Sequence, residues 1–345
     1  MTTETWTERT VGGSLLSTLP IALRGNGDPS DSAVQTLRVL SKDTSVAGIA
    51  RIVLADSTGR DLPPWKPGAH VELRLPGQLV RQYSLCGDAD DLTQWTLCVR
   101  HDPDGRGGSD YVYRSLEVDD VLVVAGPRNH FELRVADSYA FFAGGIGITP
   151  LRPMIEQVQR AKAKWNLTYL GRSRGQMMFA DELVRNYPNN VTIFAEDEGD
   201  QPAIADLVFH VADGTLVYAC GPQRMLDAAV DAAFRAGKSS ELFYERFAAN
   251  SATRPQDTSF DVECTLTGIT LHVDANRSIL DVVREAGVPV SFSCSEGTCG
   301  TCEVPVVSGD IDHRDVVLTD QEQAESASMM VCVSRAKCTK LVLEI

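Results

Sequence analysis

Residues 291–306 read SFSCSEGTCGTCEVPV. Three thiols, Cys294, Cys299 and Cys302, fall within nine positions and are separated by small residues and glycines. Any fold this chain adopts must carry a short loop on which these sulfurs converge. It must also return a fourth group to that loop from elsewhere. The chain has nine cysteines, an odd number, and MTTETWTERTVGG lacks the basic-then-apolar pattern of a secretory signal. A disulfide framework is therefore a poor explanation. Cys86, Cys98 and Cys264 lie in apolar, strand-like runs and read as small core residues.

The spacing C-x4-C-x2-C is that of plant-type [2Fe–2S] ligation. Two tetrahedral irons bridged by sulfide require four terminal thiolates. The fourth is expected from Cys332 in MMVCVSRA, whose apolar, strand-like setting would fix its sulfur; Cys338 competes for the role. Gly297 and Gly300 let the loop wrap the cluster and bring backbone N–H groups near the sulfurs. A structural zinc site usually pairs two C-x2-C elements, and one such element stands here. A loop of free thiols is the other alternative. Ahead of the loop, DVECTLTGITLHVD reads as a hairpin and SILDVVREAG as an amphipathic helix. Residues 259–345 thus resemble plant-type ferredoxins, which implies an α+β β-grasp domain.

A length of 345 residues suggests two or three domains. The formal net charge is −15, which disfavours nucleic acid as a partner. From Asp257 to Ile345 there are 15 acidic and 6 basic residues. Such a surface suits a basic protein partner, or serves solubility alone. Glu296 and Glu303 beside the cluster loop are the candidates to guide such a partner. No run of 18 apolar residues predicts a membrane span and no secretory signal opens the sequence, so the expected location is the cytoplasm; a monomer is the expected state.

Residues 1–32 lack sustained periodicity and read as a partly ordered leader. Between 33 and 136, short alternating or apolar runs such as GIARIVLAD, AHVELRLP and QWTLCVRHD are divided by turn signals. They predict an antiparallel β-barrel. Strands then alternate with helices over 137–248, which predicts an α/β parallel sheet. Residues 249–258 are polar and read as a linker. His70, His130 and His313 form no metal-binding pattern and read as structural or surface residues.

Two groups of residues point to cofactors. In the barrel, RQYS at 81–84 precedes GRGGSDYVY at 105–113. Arg81 suits bidentate pairing with a phosphate, and Gly107, Gly108 and Ser109 offer close backbone amides and a hydroxyl. In the parallel sheet, AGGIGITP at 143–150 occupies a strand–turn–helix context but is not G-x-G-x-x-G. Gly144, Gly145 and Gly147 would let a pyrophosphate approach the helix N-terminus, with Thr149 expected as N-cap and Pro150 as first helical residue. Cys220, Gly221 and Pro222 form a second turn at the end of a buried strand. Arg172, Ser173 and Arg174 follow another, near the expected adenine ribose; an arginine there would favour NADPH, and no acid ends that strand to hold a free 2′-hydroxyl.

With the barrel, these motifs resemble the flavin-binding module of the ferredoxin–NADP reductase superfamily. That resemblance implies roles for Tyr83 against the isoalloxazine, Ser84 at flavin N5, Val99 beside the ring through its backbone, Phe247 of YERFA as a cover, and Cys220 near nicotinamide C4. The order barrel, nucleotide domain, ferredoxin is similar to the phthalate dioxygenase reductase family, which includes the reductases of vanillate demethylases. The family implies FMN and NADH; the residues alone separate neither FMN from FAD nor NADH from NADPH. It implies electrons passing from NADH to FMN to [2Fe–2S] and on to a terminal oxygenase of the Rieske type. A cytochrome P450 is the alternative recipient, with residues 1–32 as a remnant of the joint. A carrier with degenerate nucleotide domains is a third reading, opposed by the intact motifs.

Overall fold

The computed structural model describes residues 34–247, 257–292, 295, 297, 298, 300–318 and 320–345. The expected leader, most of the expected linker, Glu296, and the cysteines 294 and 299 lie outside them.

Six strands form the first sheet: β1 (Val34–Asp43), β2 (Ile49–Asp56), β3 (Ala69–Leu75), β4 (Leu79–Ser84), β5 (Trp95–Arg100) and β6 (Val121–Asn129). All pairings are antiparallel, in the order β4-β3-β6-β1-β2-β5. An isolated bridge between Leu85 and Leu97 joins the two ends, so the sheet curls into a nearly closed barrel. Alternation places Leu37, Ile52, Leu54, Leu73, Leu97 and Val124 inside, all fully buried. A short helix, α1 (Gly108–Asp110), and a wide turn over Tyr111–Ser115 cap the side of β4.

The second sheet is wholly parallel. It comprises β7 (Ser138–Gly144), β8 (Lys164–Gly171), β9 (Val191–Ala195), β10 (Leu216–Cys220) and β11 (Leu242–Glu245), ordered β11-β10-β7-β8-β9. The helices α2 (Ile148–Arg160), α3 (Ala180–Asn186), α4 (Ile204–Phe209) and α5 (Gln223–Arg235) make the connections. The chain runs outward from β7 to β9 and then crosses back to β10. The strand order therefore reverses between β7 and β10, where open parallel sheets bind ligands at the strands' carboxyl ends.

Barrel and parallel sheet share one core. Ile49, Cys86, Cys98 and Phe131 pack in the same buried cluster as Phe141, Leu151, Leu167 and Tyr218. Arg152 of α2 donates to the Cys86 carbonyl at 2.7 Å, pairs with Glu156 and Glu182 at 2.9 and 2.8 Å, and lies over the Phe179 ring. Arg160 pairs with Asp88 at 2.9 Å and with Asp90. The Tyr218 hydroxyl donates to the Glu132 carbonyl at 3.1 Å and accepts from Arg134 N–H at 2.7 Å.

The third unit has β12 (Phe260–Cys264), β13 (Ile269–Val273), α6 (Ile279–Glu285), β14 (Glu303–Ser308), β15 (Ile311–Asp312), α7 (Asp320–Glu325), β16 (Ser328–Met330), β17 (Arg335–Ala336) and β18 (Lys340–Leu343). Its main sheet, β13-β12-β18-β14-β16, combines a parallel β12–β18 pair with antiparallel neighbours, and β15 pairs with β17. Its core, from Phe260 to Ile345, is separate from the others. Ser278 caps α6 through a reciprocal capping box with Asp281. Among the described residues no helix is long and apolar enough to cross a membrane.

Tyr218→Phe removes the hydroxyl that satisfies Arg134 N–H and reaches Glu132, and should lower stability by about 1 kcal/mol. Thermal unfolding of the variant beside wild type measures this; an unchanged midpoint would show that the bond is replaced by water.

Candidate functional site

A cleft of about 710 Å³ runs between the barrel, the nucleotide sheet and the third unit. That is within the usual range for small-molecule sites, roughly 300–1,000 Å³. Arg81, Tyr83, Ser84, Gly108 and Ser109 form its barrel wall, Ile146, Thr149 and Phe247 its nucleotide-sheet side, and Cys332 and Val333 its far wall. Three sequence segments expected to hold different groups therefore meet in one space.

Arg81 lies on β4, and its guanidinium is held by the carbonyls of Val80 and Arg106 at 2.8 and 3.3 Å. Gly108 is needed beside it: a Cβ there would stand 2.6 Å from Arg81 Cγ and 2.7 Å from its Nε. The Ser109 hydroxyl accepts from Asp102 N–H at 3.1 Å, which ties the glycine turn to the strand end after β5. A fixed cation, a hydroxyl and a side-chain-free turn make a set that fits a phosphate. Burial pushes the Tyr83 phenol up to about 12, so its ring stays neutral. The Val99 side chain points into the barrel core, while its neighbours Cys98 and Arg100 border the cleft. Phe247 is 40% exposed at the cleft edge.

The two glycine turns of the nucleotide sheet interlock at the reversal between β7 and β10. A Cβ on Gly147 would lie 2.1 Å from the Cys220 carbonyl oxygen, and one on Gly144 would lie 2.5 Å from Pro222 Cδ. Gly221 meets the Gly144 backbone in the same way. Gly145, at φ +54°, has open space where a Cβ would be. The helix begins differently from expectation. Gly147 is the N-cap of α2, and Thr149 lies within the first turn, its hydroxyl donating back to the Ile146 carbonyl at 2.9 Å. A tight turn over Gly145–Gly147 leads into the helix, so Pro150 falls at the third helical position, where no intrahelical N–H bond is lost.

Cys220 is fully buried at the end of β10 and does not border the cleft. Burial and the Glu245 carboxyl push its thiol well above the usual range. In register beside it on β11 stands Glu245, which the sequence reading passed over. Its Oε2 is buried without a hydrogen-bond partner, although the residue as a whole is half-buried. Burial raises its carboxyl to about 8, and the neighbouring Ser84 hydroxyl pulls the other way. Ser84, Glu245 and Cys220 thus form a chain from the cleft wall to the nucleotide sheet.

Beyond β8, Arg172 is exposed, and Arg174 is engaged with Asp181 at 2.7 Å. Asp197, in the turn after β9, accepts from Arg174 N–H at 3.2 Å, and the Ser173 hydroxyl beside it holds its carboxyl below the usual range. The sequence reading looked for an acid at the end of β8; this one arrives from the neighbouring strand.

In the third unit, Glu303 of β14 pairs with Met330 of β16, and Val331 N–H donates to the Cys302 carbonyl at 3.2 Å. This pairing sets Cys302, just before β14, and Cys332, just after β16, at adjacent strand ends although they are 30 positions apart, with 2% and 7% exposure. Cys338 lies in another corner, its thiol donating to the Lys340 carbonyl at 3.0 Å. Two buried thiols at the ends of paired strands, next to the glycine loop, fit soft thiolate ligation of iron.

Residues 262–337 match the 2Fe-2S iron-sulfur cluster binding domain family, and residues 141–231 the oxidoreductase NAD-binding domain family. Phthalate dioxygenase reductase from Burkholderia cepacia is 36% identical over 322 residues, covering 92% of this chain and 99% of that one. A crystal structure of phthalate dioxygenase reductase, described as modular for electron transfer from pyridine nucleotides to [2Fe-2S], superposes with a TM-score of 0.71 at 36% identity, covering 91% of this chain and 98% of that chain. An intact type IV self-sufficient cytochrome P450 monooxygenase superposes with a TM-score of 0.78 at 41% identity over 90% of this chain. The present chain spans about two fifths of that P450, 41% of its length. Near-complete mutual coverage at this identity places the chain in the phthalate dioxygenase reductase family.

Proposed function

We propose that the chain passes electrons from NADH through FMN and a [2Fe–2S] cluster to a partner oxygenase of the Rieske type, as a cytoplasmic monomer. The observation that carries this reading is that Cys332 borders the same cleft as Arg81, Tyr83 and Ser84. When bound, FMN accepts the electrons of NADH as a pair and the cluster takes them singly, chemistry that no side chain supplies.

The chain's own residues would bind, orient and shield. Arg81 pairs with the FMN phosphate from beside Gly107, Gly108 and Ser109. Tyr83 offers a ring face, the Val99 backbone lies along the isoalloxazine edge, and Phe247 covers the other face and excludes water. Ser84 presents its hydroxyl at flavin N5. The interlocked turns, Gly144, Gly145 and Gly147 with Gly221 and Pro222, cradle the pyrophosphate at the start of α2, where Thr149 and Pro150 hold the first turn. Cys220, buried behind its turn, would support the place near nicotinamide C4 from beneath rather than by direct contact. Arg172 and Ser173 border the adenosine end, where the Asp197 carboxylate opposes a 2′-phosphate and so favours NADH. Cys302 and Cys332, with the cysteines 294 and 299, ligate the cluster. Plant-type centres lie at roughly −400 mV and Rieske centres at roughly −150 to +300 mV, so onward transfer is downhill. The 41% identity to part of a P450 chain supports a P450 as a second recipient. Reconstitution with each class of oxygenase separates the two.

Anaerobic titration with NADH should bleach both flavin and cluster and give a rhombic reduced [2Fe–2S] EPR signal. Bleaching with NADPH alone would shift weight to Arg172, and bleaching with neither would refute the nicotinamide assignment. Arg81→Ala should weaken FMN by roughly 10- to 100-fold, the worth of a charge-assisted bond of about 1.5–3 kcal/mol. Flavin released on ultrafiltration measures it.

Glu245 carries a pH prediction. Its folded-state value, about 8, lies above the ordinary carboxylate value of 4.5. The stability it contributes is present below 4.5 and is lost as pH rises through about 8. Glu245→Gln cannot ionise, so its melting temperature should gain on wild type across that window and level off above it. Parallel melting curves against pH would contradict the buried neutral carboxyl.

A further inference from the structure

We propose that Gln82 is a positioning residue for electron transfer, whose amide seats the cluster loop on the flavin wall of the cleft through Thr298. The inference rests on the electron path proposed above and deepens it by naming a contact that governs one step.

Gln82 lies on β4 between Arg81 and Tyr83, and all three border the cleft. Its cross-strand neighbour is Glu72 of β3, so these two side chains share a face of the sheet. Val71 and Leu73 on the alternate face fill the barrel core. Gln82 therefore projects from the outside of the barrel, where a glutamine is ordinarily solvated. Here its Nε2 is buried and has no hydrogen-bond partner. Its Oε1 accepts from the Thr298 hydroxyl at 3.4 Å, across 216 positions of sequence. The amide is thus sheltered from water where barrel and third unit meet. Because a hydroxyl both donates and accepts, either orientation of the amide presents a matching atom to Thr298.

The loop that Gln82 meets is braced from behind. The carbonyl of Gly297, next to Thr298, accepts from Val316 N–H at 3.0 Å. One residue before Val316, the Asp315 carboxylate accepts from the N–H groups of Val317 and Leu318 at 3.2 and 2.9 Å. It also accepts from the Ser334 hydroxyl at 3.2 Å, and Ser334 is two residues beyond Cys332. A run of hydrogen bonds and adjacent residues therefore leads from the flavin wall, through the glycine loop, to the segment that carries a cluster sulfur.

At 3.4 Å the bond from Thr298 is long and adds little binding energy. What it supplies is placement, because a sheltered amide cannot exchange this partner for water. In the step concerned, one electron leaves the NADH-reduced flavin and one enters the oxidised cluster. Gln82 and Thr298 gain and lose nothing. Their effect is on distance and alignment alone.

The test uses the full-length holoprotein in anaerobic stopped flow with NADH, following flavin and cluster bleaching separately. Gln82→Leu and Thr298→Val each remove the bond with little change of shape, whereas Thr298→Ser keeps the hydroxyl. The first two should reduce flavin at the wild-type rate and reduce the cluster about tenfold more slowly or worse, the scale expected for a displacement of about 1 Å. Thr298→Ser should match wild type. The double variant Gln82→Leu with Thr298→Val should be no slower than either single variant, since both break one contact. Dithionite should still give the rhombic EPR signal in Gln82→Leu. Wild-type cluster reduction in either loaded variant overturns the proposal, as do additive slowing in the double variant and a Thr298→Ser protein as slow as Thr298→Val. Loss of the cluster from Gln82→Leu also overturns it, by making the contact a folding element. A wild-type protein whose own cluster stays oxidised under NADH would instead defeat the underlying electron path.

Discussion

A three-residue antiparallel pairing carries the chemistry of the third unit. Glu303 to Pro305 of β14 lie against Ser328 to Met330 of β16, and the Cys302 carbonyl accepts from Val331 N–H just beyond. This register decides where the chain leaves β16, and so where Cys332, two residues beyond Met330, is placed. The fully buried Met329, Met330 and Val331 hold the register by hydrophobic burial. The core of the third unit thus decides where a sulfur points.

The other two units solve a different problem, keeping two binding surfaces at a constant separation. A shared apolar core and the Arg152 fork leave barrel and parallel sheet little freedom to move apart. The Cys86 carbonyl that Arg152 grips is two residues from Ser84. A change in α2 is therefore transmitted within one side chain's length to the cleft wall at Ser84.

Much of this was legible in the sequence because the elements concerned carry a period. All six barrel strands and the longer strands of the nucleotide sheet are legible from alternation or apolar runs, the hairpin from its turn, and α6 from its amphipathic period. The segments α4 and β11, six and four residues long, are too short to show a period. Glu245 escaped notice for a related reason. A glutamate in YERF gives no local signal, and its burial is created by a parallel pairing with β10. Arg174 looked available for a phosphate until α3 brought Asp181 beside it. Thr149 had the chemistry of an N-cap, but the tight turn over Gly145–Gly147 starts the helix two residues earlier than the pattern implied.

The contact between Gly147 and the Cys220 carbonyl has a consequence for how this chain can vary. The two glycine turns at the carboxyl ends of β7 and β10 are separated by more than seventy positions in sequence, yet they touch backbone to backbone with no room for a methyl group. Neither turn can be enlarged or replaced alone. Divergence at this place must occur in both turns at once or spare both, so the width of the opening is inherited as a unit, whatever happens to the strands and helices around it.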